Sequence, residues 1–253
     1  MKPTATGRIL LWRGGSLWIG LAGEPAGFHA HHAVQIALPF APGRVRLQRP
    51  FENWKSFSAA IVAAQQTHAF EARGQLMAHV FVEPESRDGR ALQLQYRDTG
   101  IAALSANTLK HEIAALATAY EKRGEDALLI ELTRSAIAKI AGATKAPGKL
   151  PDARIAHAVE LIRERLSEAI SLKAIAAEVH LSPDRFRHLF IDETGVGFRP
   201  YVLWLRLEYA LAAYVAGSTL TEAAFAGGFS DSAHFSRTFK RMFGIVPMSV
   251  RPE

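Results

Sequence analysis

The sequence predicts an α+β protein, with a β-barrel and a helix pair in the N-terminal part and an all-α region after them. Three observations predict this. Short apolar runs fill residues 1–83, separated by stretches rich in Gly, Pro and His. Helical periodicity takes over from about residue 105 and continues to the C-terminus. Between these regions lies GATKAPGKLP (142–151), a run without periodicity that reads as a linker. With 253 residues, 49 % of them hydrophobic, the chain can bury two cores. The expected organisation is a first domain over 1–141, the linker, and a second domain over 152–253.

The strands come first. Ile9–Trp12, Leu17–Leu21, Val34–Leu38, Arg44–Leu47, Ala59–Ala63 and Leu76–Val82 are short apolar or alternating runs. Alternation is lost over Ser86–Tyr96, which predicts a short helix after Pro84. A helix pair fills 105–141. Its first member is Asn107–Lys122, with Leu109, Ile113, Leu116 and Tyr120 on one stripe. Its second is Asp126–Ile140, with Leu129, Leu132, Ile137 and Ile140. Such a stripe serves internal packing or a homodimer face.

The all-α region contains a repeat. LKAIAAEVHLSPDRFRHLF (172–190) resembles LTEAAFAGGFSDSAHFSRTF (220–239). With Ala176 set on Ala224, Leu172 matches Leu220, Ile175 matches Ala223, Leu181 matches Phe229 and Ser182 matches Ser230. In the first copy Leu172, Ile175, Ala176 and Val179 make one helical face, with a small residue at its centre where another helix can cross. Ser182 then caps a second helix, Pro183 occupies its first position, and Phe186, Leu189 and Phe190 face inward. Gly195 supplies the left-handed terminator. The second copy turns at GGF (227–229), is capped by Ser230 or Asp231, packs Phe235 and Phe239, and ends at Gly244. Each copy is a helix-turn-helix, over 172–194 and 220–243. Between them Tyr201–Ala216, opened by Pro200, is a long helix apolar on several sides. Leu203, Leu207, Ala210 and Tyr214 face one way, and Leu205, Tyr209 and Ala212 face another. Its length separates the two copies by roughly one DNA turn, about 34 Å.

Charge sharpens this reading. The chain carries +6 overall. Residues 1–150 hold 18 Lys and Arg against 12 Asp and Glu, whereas 151–253 hold 12 against 12. A nucleic-acid surface in the second region must therefore come from placed residues rather than bulk charge. The inward phenylalanines fix the outward faces: Asp184, Arg185, Arg187 and His188 in the first copy, and Ser232, Ala233, Ser236, Arg237 and Lys240 in the second. Arg pairs bidentately with guanine, and Ser and His bond several base edges. Lys240 lies deeper along its helix, where phosphate is the expected partner. The balancing acids, such as Glu160, Glu164, Glu168, Glu208 and Glu222, fall on other helices.

At these residues the chain resembles the AraC/XylS family of transcriptional regulators, over about 155–251. The more specific stretch is Gly228-Phe229-Ser230-Asp231, then His234-Phe235, Arg237, Phe239-Lys240, Gly244, Pro247 and Arg251. The resemblance implies two helix-turn-helix units on a long helix, entering successive major grooves of double-stranded DNA. It carries base contacts to Asp184, Arg187 and His188, and to Ala233, Ser236 and Arg237. It also implies a small-molecule effector, with RNA polymerase as a further partner; the helix pair over 105–141 adds a second copy of the chain. Two residues depart from the pattern: bulky Phe225 beside Ala224, and the acidic Asp184 on a groove-facing position.

The N-terminal histidines resemble a second pattern, that of the cupin barrel. Gly23, His29 and His31 fit it, Gln35 stands where a Glu belongs, Pro42-Gly43 close it one residue late, and His68 fits the later histidine. Alternation puts His29 and His31 on one strand face and His32 on the other. Gln35 in place of Glu removes the anionic ligand of such a site. No metal cofactor is therefore expected at His29, His31 and His68, and His29, His31, Gln35 and His68 are read as the lining of an effector pocket.

Other chemistry is not indicated. There are no cysteines, hence no disulfides or thiolate metal sites. No P-loop, Rossmann fingerprint, nucleophile elbow or zinc-helix motif is present. No stretch reaches the roughly 18 apolar residues of a membrane span. A non-enzymatic, soluble, cytoplasmic protein without a membrane partner is expected. The rival readings are a cupin enzyme with a helical appendage and a sensor that acts by holding a protein partner.

Overall fold

The computed structural model describes residues 5–41, 44–142, 151–166 and 168–252. The linker expected at 142–151 lies outside these over 143–150, as do Pro42 and Gly43 of the barrel pattern. The chain divides into two compact units, Met1–Ala146 together with Lys240–Glu253, and Pro147–Phe239.

The first unit is built from β1 (Ala5–Trp12), β2 (Gly15–Leu21), β3 (Ala26–His29), β4 (Val34–Pro39), β5 (Val45–Gln48), β6 (Lys55–Phe57), β7 (Ala60–Val62), β8 (His68–Glu71), β9 (Leu76–Val82), α1 (Arg87–Tyr96), β10 (Ile101–Ala103), α2 (Lys110–Glu121) and α3 (Asp126–Ala141). A C-terminal strand, β11 (Val250–Pro252), runs parallel to β1. The strands form two sheets, of seven (β10-β7-β4-β9-β2-β1-β11) and four (β3-β8-β5-β6). The α+β class is as predicted, but the two sheets stay separate and do not close into a barrel among the described residues.

Period-2 alternation explains the layers. Along β4, Val34, Ile36 and Leu38 point to one core and Ala37 to another; along β9, Ala78, Val80 and Val82 oppose Met77 in the same way. The first core is closed by Leu92 of α1, Ile113 and Leu116 of α2, and Leu129, Ile137 and Ile140 of α3. The second is closed by Val45, Leu47 and Phe70 of the smaller sheet. Both faces of β4 are therefore covered, and all six of its residues are buried. Most of the apolar stripe of the helix pair packs internally, with Tyr120 and Leu132 partly buried at its edge.

The second unit holds α4 (Ala153–Glu164), α5 (Leu172–Glu178), α6 (Pro183–Thr194), α7 (Phe198–Val215), α8 (Leu220–Ala226) and most of α9 (Ser232–Phe243). Side-chain caps set the starts: Asp152 for α4, Ser171 for α5, Ser182 for α6, and a Thr219–Glu222 capping box for α8. Gly195 ends α6 in the left-handed conformation, as predicted. The connector α7 begins at Phe198 rather than Tyr201. Pro200 falls within its first turn, where backbone N–H groups have no helical partner and proline costs nothing. At 18 residues it is about 27 Å long. Phe186, Phe190, Phe198 and Tyr201 form one aromatic cluster, with centroids 5.2–6.0 Å apart. Tyr209 is exposed rather than packed, and so is Phe225, which accommodates its bulk beside buried Ala224.

Candidate nucleic-acid interface and histidine pocket

The first helix-turn-helix is α5, a turn over 179–182, and α6. Ile175, Ala176, Val179, Phe186, Leu189 and Phe190 are buried between the helices. That leaves Asp184, Arg185, Arg187 and His188 exposed along the outer face of α6. Arg187 Nη1 donates to Asp184 Oδ1 at 2.7 Å. An exposed pair of this kind stabilises by about 0–1 kcal/mol, so a base or phosphate can take Arg187 at little cost. The turn places His180 at φ +56°.

The second helix-turn-helix is α8, its turn and α9. Gly227 packs where a Cβ would stand 2.5 Å from the Arg206 carbonyl oxygen and 2.7 Å from Ala210 Cβ, so α8 crosses α7 closely there. Gly228 occupies the position of His180, at φ +70°. Of the two candidate caps, Asp231 makes the bond: the His234 N–H donates to its Oδ1 at 2.7 Å, and the Ser230 hydroxyl donates to its Oδ2 at 2.8 Å. These bonds, with Arg237 nearby, hold the Asp231 carboxyl below the usual carboxylate range. Phe229, Phe235 and Phe239 are buried. Ala233, Arg237 and Lys240 are exposed along α9, and Ser232 and Ser236 are half-buried at its outer edge. Several acids of the region are already engaged: Arg165 forks onto Glu178 at 2.5 and 2.7 Å, and Glu222 serves the α8 cap. This is how a region without net charge can present a basic edge.

In the first unit His29, His31 and His68 come together. His29 and His68 rings lie 4.2 Å apart, His31 and His68 5.3 Å, and His29 and His31 5.7 Å. Each Nδ1 meets a backbone carbonyl: Gly27 at 2.7 Å, Ala33 at 2.7 Å and Gln66 at 2.9 Å, respectively. An N–H must donate there, so Nδ1 carries the proton in all three rings. Burial, reinforced by neighbouring imidazoles, pushes His29 down to about 4 and His68 well below its ordinary value; burial also lowers His31. The rings are neutral, and their Nε2 atoms are lone pairs. Gln35 stands between His31 and His68, its side-chain amide 3.0 Å from both Nε2 atoms and 3.2 Å from His79 Nδ1. His32 bonds Glu85 at 2.8 Å; β3 ends at His29, so His31 and His32 lie outside the strand on which alternation was expected to place them.

His79, pushed down to about 4 mainly by burial, was not singled out from the sequence. Its signal is LMAHVFV, in which Met77, His79 and Phe81 share one strand face. A cavity of about 110 Å³ adjoins these residues. Ile9, Trp18, Ile19, Phe70 and Phe81 line it, with His29, Gln35 and His79 on its polar side. Phe243 and Ile245, which belong to this unit, line it too, and the Phe243 ring lies 4.7 Å from Trp18. Of the four pocket residues expected from sequence, His29 and Gln35 reach the cavity; His31 and His68 stand behind them.

Comparison with known proteins bears on both sites. A family model described as "Helix-turn-helix domain" matches residues 175–253. Over 102 residues the chain is 35 % identical to the transcriptional activator RhaS of Escherichia fergusonii, covering 40 % of this chain and 36 % of that protein. Over 94 residues it is 32 % identical to the transcriptional regulator GlxA of Rhizobium meliloti, covering 37 % and 29 %. Residues 175–253 of this chain carry a helix-turn-helix domain. The chain spans about a third of the length of these two relatives. The motif residues quoted from the sequence fall on the turn before α9, on α9 itself and on the segment that follows it. Across both units the fold is similar to ToxT of Vibrio cholerae, with a TM-score of 0.58, 13 % identity, and coverage of 92 % of this chain and 96 % of that one. A second ToxT structure, with an unsaturated fatty acid bound, matches with a TM-score of 0.53 at 12 % identity, covering 98 % and 95 %. No helix among the described residues is long and apolar enough to cross a membrane.

Proposed function

We propose that the protein is a sequence-specific, DNA-binding transcriptional regulator, controlled by a small apolar effector held in its first unit. One observation carries the DNA reading. Two capped helix-turn-helix units on one long helix each turn an exposed outer face with a groove-reading arginine, Arg187 or Arg237, away from a phenylalanine core. Asp184, Arg185 and His188 in the first helix-turn-helix, and Ser232, Ala233 and Ser236 in the second, complete the DNA-facing set; Lys240 meets phosphate. The effector reading rests on the cavity beside His29 and Gln35. Its size is comparable to apolar cavities that admit benzene, so a compact apolar ligand fits best. ToxT, which shares the fold, binds an unsaturated fatty acid, in keeping with an apolar ligand. Phe243, the last residue of α9, lines the same cavity. RNA polymerase and a second copy of the chain are the remaining partners in this reading, and no catalytic step belongs to it.

The deciding experiment is a mobility-shift assay with the DNA upstream of the protein's own gene. Arg187→Ala and Arg237→Ala should each relax base preference at a different place in the site. Unchanged preference in both variants would overturn the interface. Native mass spectrometry of freshly purified, tag-free protein tests for a retained effector, and sedimentation equilibrium tests for the dimer.

A further inference from the structure

We propose that His29, His31 and His68 form a divalent transition-metal site with an open coordination position toward the adjoining cavity. The sequence argued against a metal, because Gln35 replaces the anionic ligand; the side-chain geometry argues for one. All three histidines are buried, and one ligand nitrogen from each lies within 4.8 Å of the other two. Each ring is aimed by the same device, an Nδ1–H donated to a backbone carbonyl: Gly27 for His29, Ala33 for His31 and Gln66 for His68. This outer contact is the one that fixes tautomer and ring direction in metal-bound histidines. It leaves an Nε2 lone pair on each ring, and those of His31 and His68 both lie 3.0 Å from the Gln35 amide, a neutral neighbour.

A metal-free alternative uses the same atoms. With its amide turned so that the NH2 group faces the rings, Gln35 donates to both His31 and His68, and its oxygen accepts from His79 Nδ1–H. That arrangement satisfies two rings and leaves His29 outside the network. A cation engages all three. Imidazole donors suit zinc, nickel, copper, cobalt and ferrous iron. With no carboxylate among the ligands, the ion would keep its full double charge. His29 borders the cavity, so the open position faces it, and a small anion is the expected additional ligand.

The test uses the full, tag-free chain, stripped with chelator and titrated with Co²⁺. Wild type should take up about one equivalent, with the absorption of a nitrogen-ligated cobalt site, and azide should shift that absorption. His68→Ala and His29→Ala should lose the equivalent, whereas His111→Ala should keep it. Gln35→Glu supplies the missing charge and should tighten binding by about tenfold or more. The last variant decides the matter if the alanine variants fail to fold. Uptake below about a tenth of an equivalent, uptake indifferent to His29→Ala and His68→Ala, or no tightening in Gln35→Glu would each overturn the site and leave the Gln35-centred network metal-free. Binding without an azide response would overturn the open position. None of these outcomes bears on the DNA reading, which Arg187→Ala and Arg237→Ala test separately.

Discussion

His180 and Gly228 hold equivalent places in the two helix-turn-helix turns, and both are left-handed, at φ +56° and +70°. A Cβ in that region costs roughly 1–2 kcal/mol. Glycine avoids this cost but loses more chain entropy on folding, by about 0.5–1 kcal/mol. Replacing His180 by Gly should therefore stabilise the protein by about 0.5–1 kcal/mol, since the His180 side chain is exposed. The reverse change, Gly228→Ala, reinstates the left-handed cost. It also brings a Cβ to 3.3 Å from both the Arg206 Nε and the Leu166 carbonyl oxygen, so the loss should be larger, about 1–2 kcal/mol. His180→Ala keeps the Cβ and should fall within about 0.5 kcal/mol of wild type. Urea unfolding followed by helical circular dichroism reads all three, with unchanged m-values expected. A destabilised His180→Gly, or a neutral Gly228→Ala, would refute the assignment of these turns.

Three further outcomes follow from the same geometry. Arg237→Ala should weaken specific DNA binding by about 1–3 kcal/mol, while Lys240→Ala should weaken it on all sequences and reduce the salt slope by about 1; gel-shift titrations at several salt concentrations separate the two. Gly227→Ala has an ordinary backbone angle but sets a Cβ 2.5 Å from the Arg206 carbonyl, so it should push α8 from α7 and cost about 1–3 kcal/mol, read as a lowered Tm with loss of DNA binding. The Asp231 carboxyl is held below its usual range, so its ionised cap is at full strength above the unfolded value of about 4 and fades as pH falls through the lowered folded value. The difference in Tm between wild type and Asp231→Asn should be present at neutral pH and vanish under strong acid.

The legible strands were those with apolar or alternating runs of their own, most clearly Leu76–Val82, where burial on both faces leaves a continuous signal. In the smaller sheet β5 was legible, but β3, β6 and β8 were not. Lys55–Phe57 and His68–Glu71 have three and four residues, and they are strands only because β5 lies beside them. Nothing local distinguishes a closed barrel from two packed sheets, since the difference lies in which distant edges bond. His79 was missed because a single histidine inside an apolar strand has no periodicity of its own.

The sequence by itself determined the helix-turn-helix units. Their caps, left-handed turns and inward phenylalanines act within about twenty residues of one another, so the chain carries their geometry in its spacing. Tertiary structure alone decided which side chains the histidines meet. His29 and His68 are 39 positions apart and meet because β3 and β8 pair at those two residues. Gln35 reaches His68 and His79 only because the cores press the strands that carry them together. A ligand set assembled across strands is written in register, and register depends on how the whole unit packs.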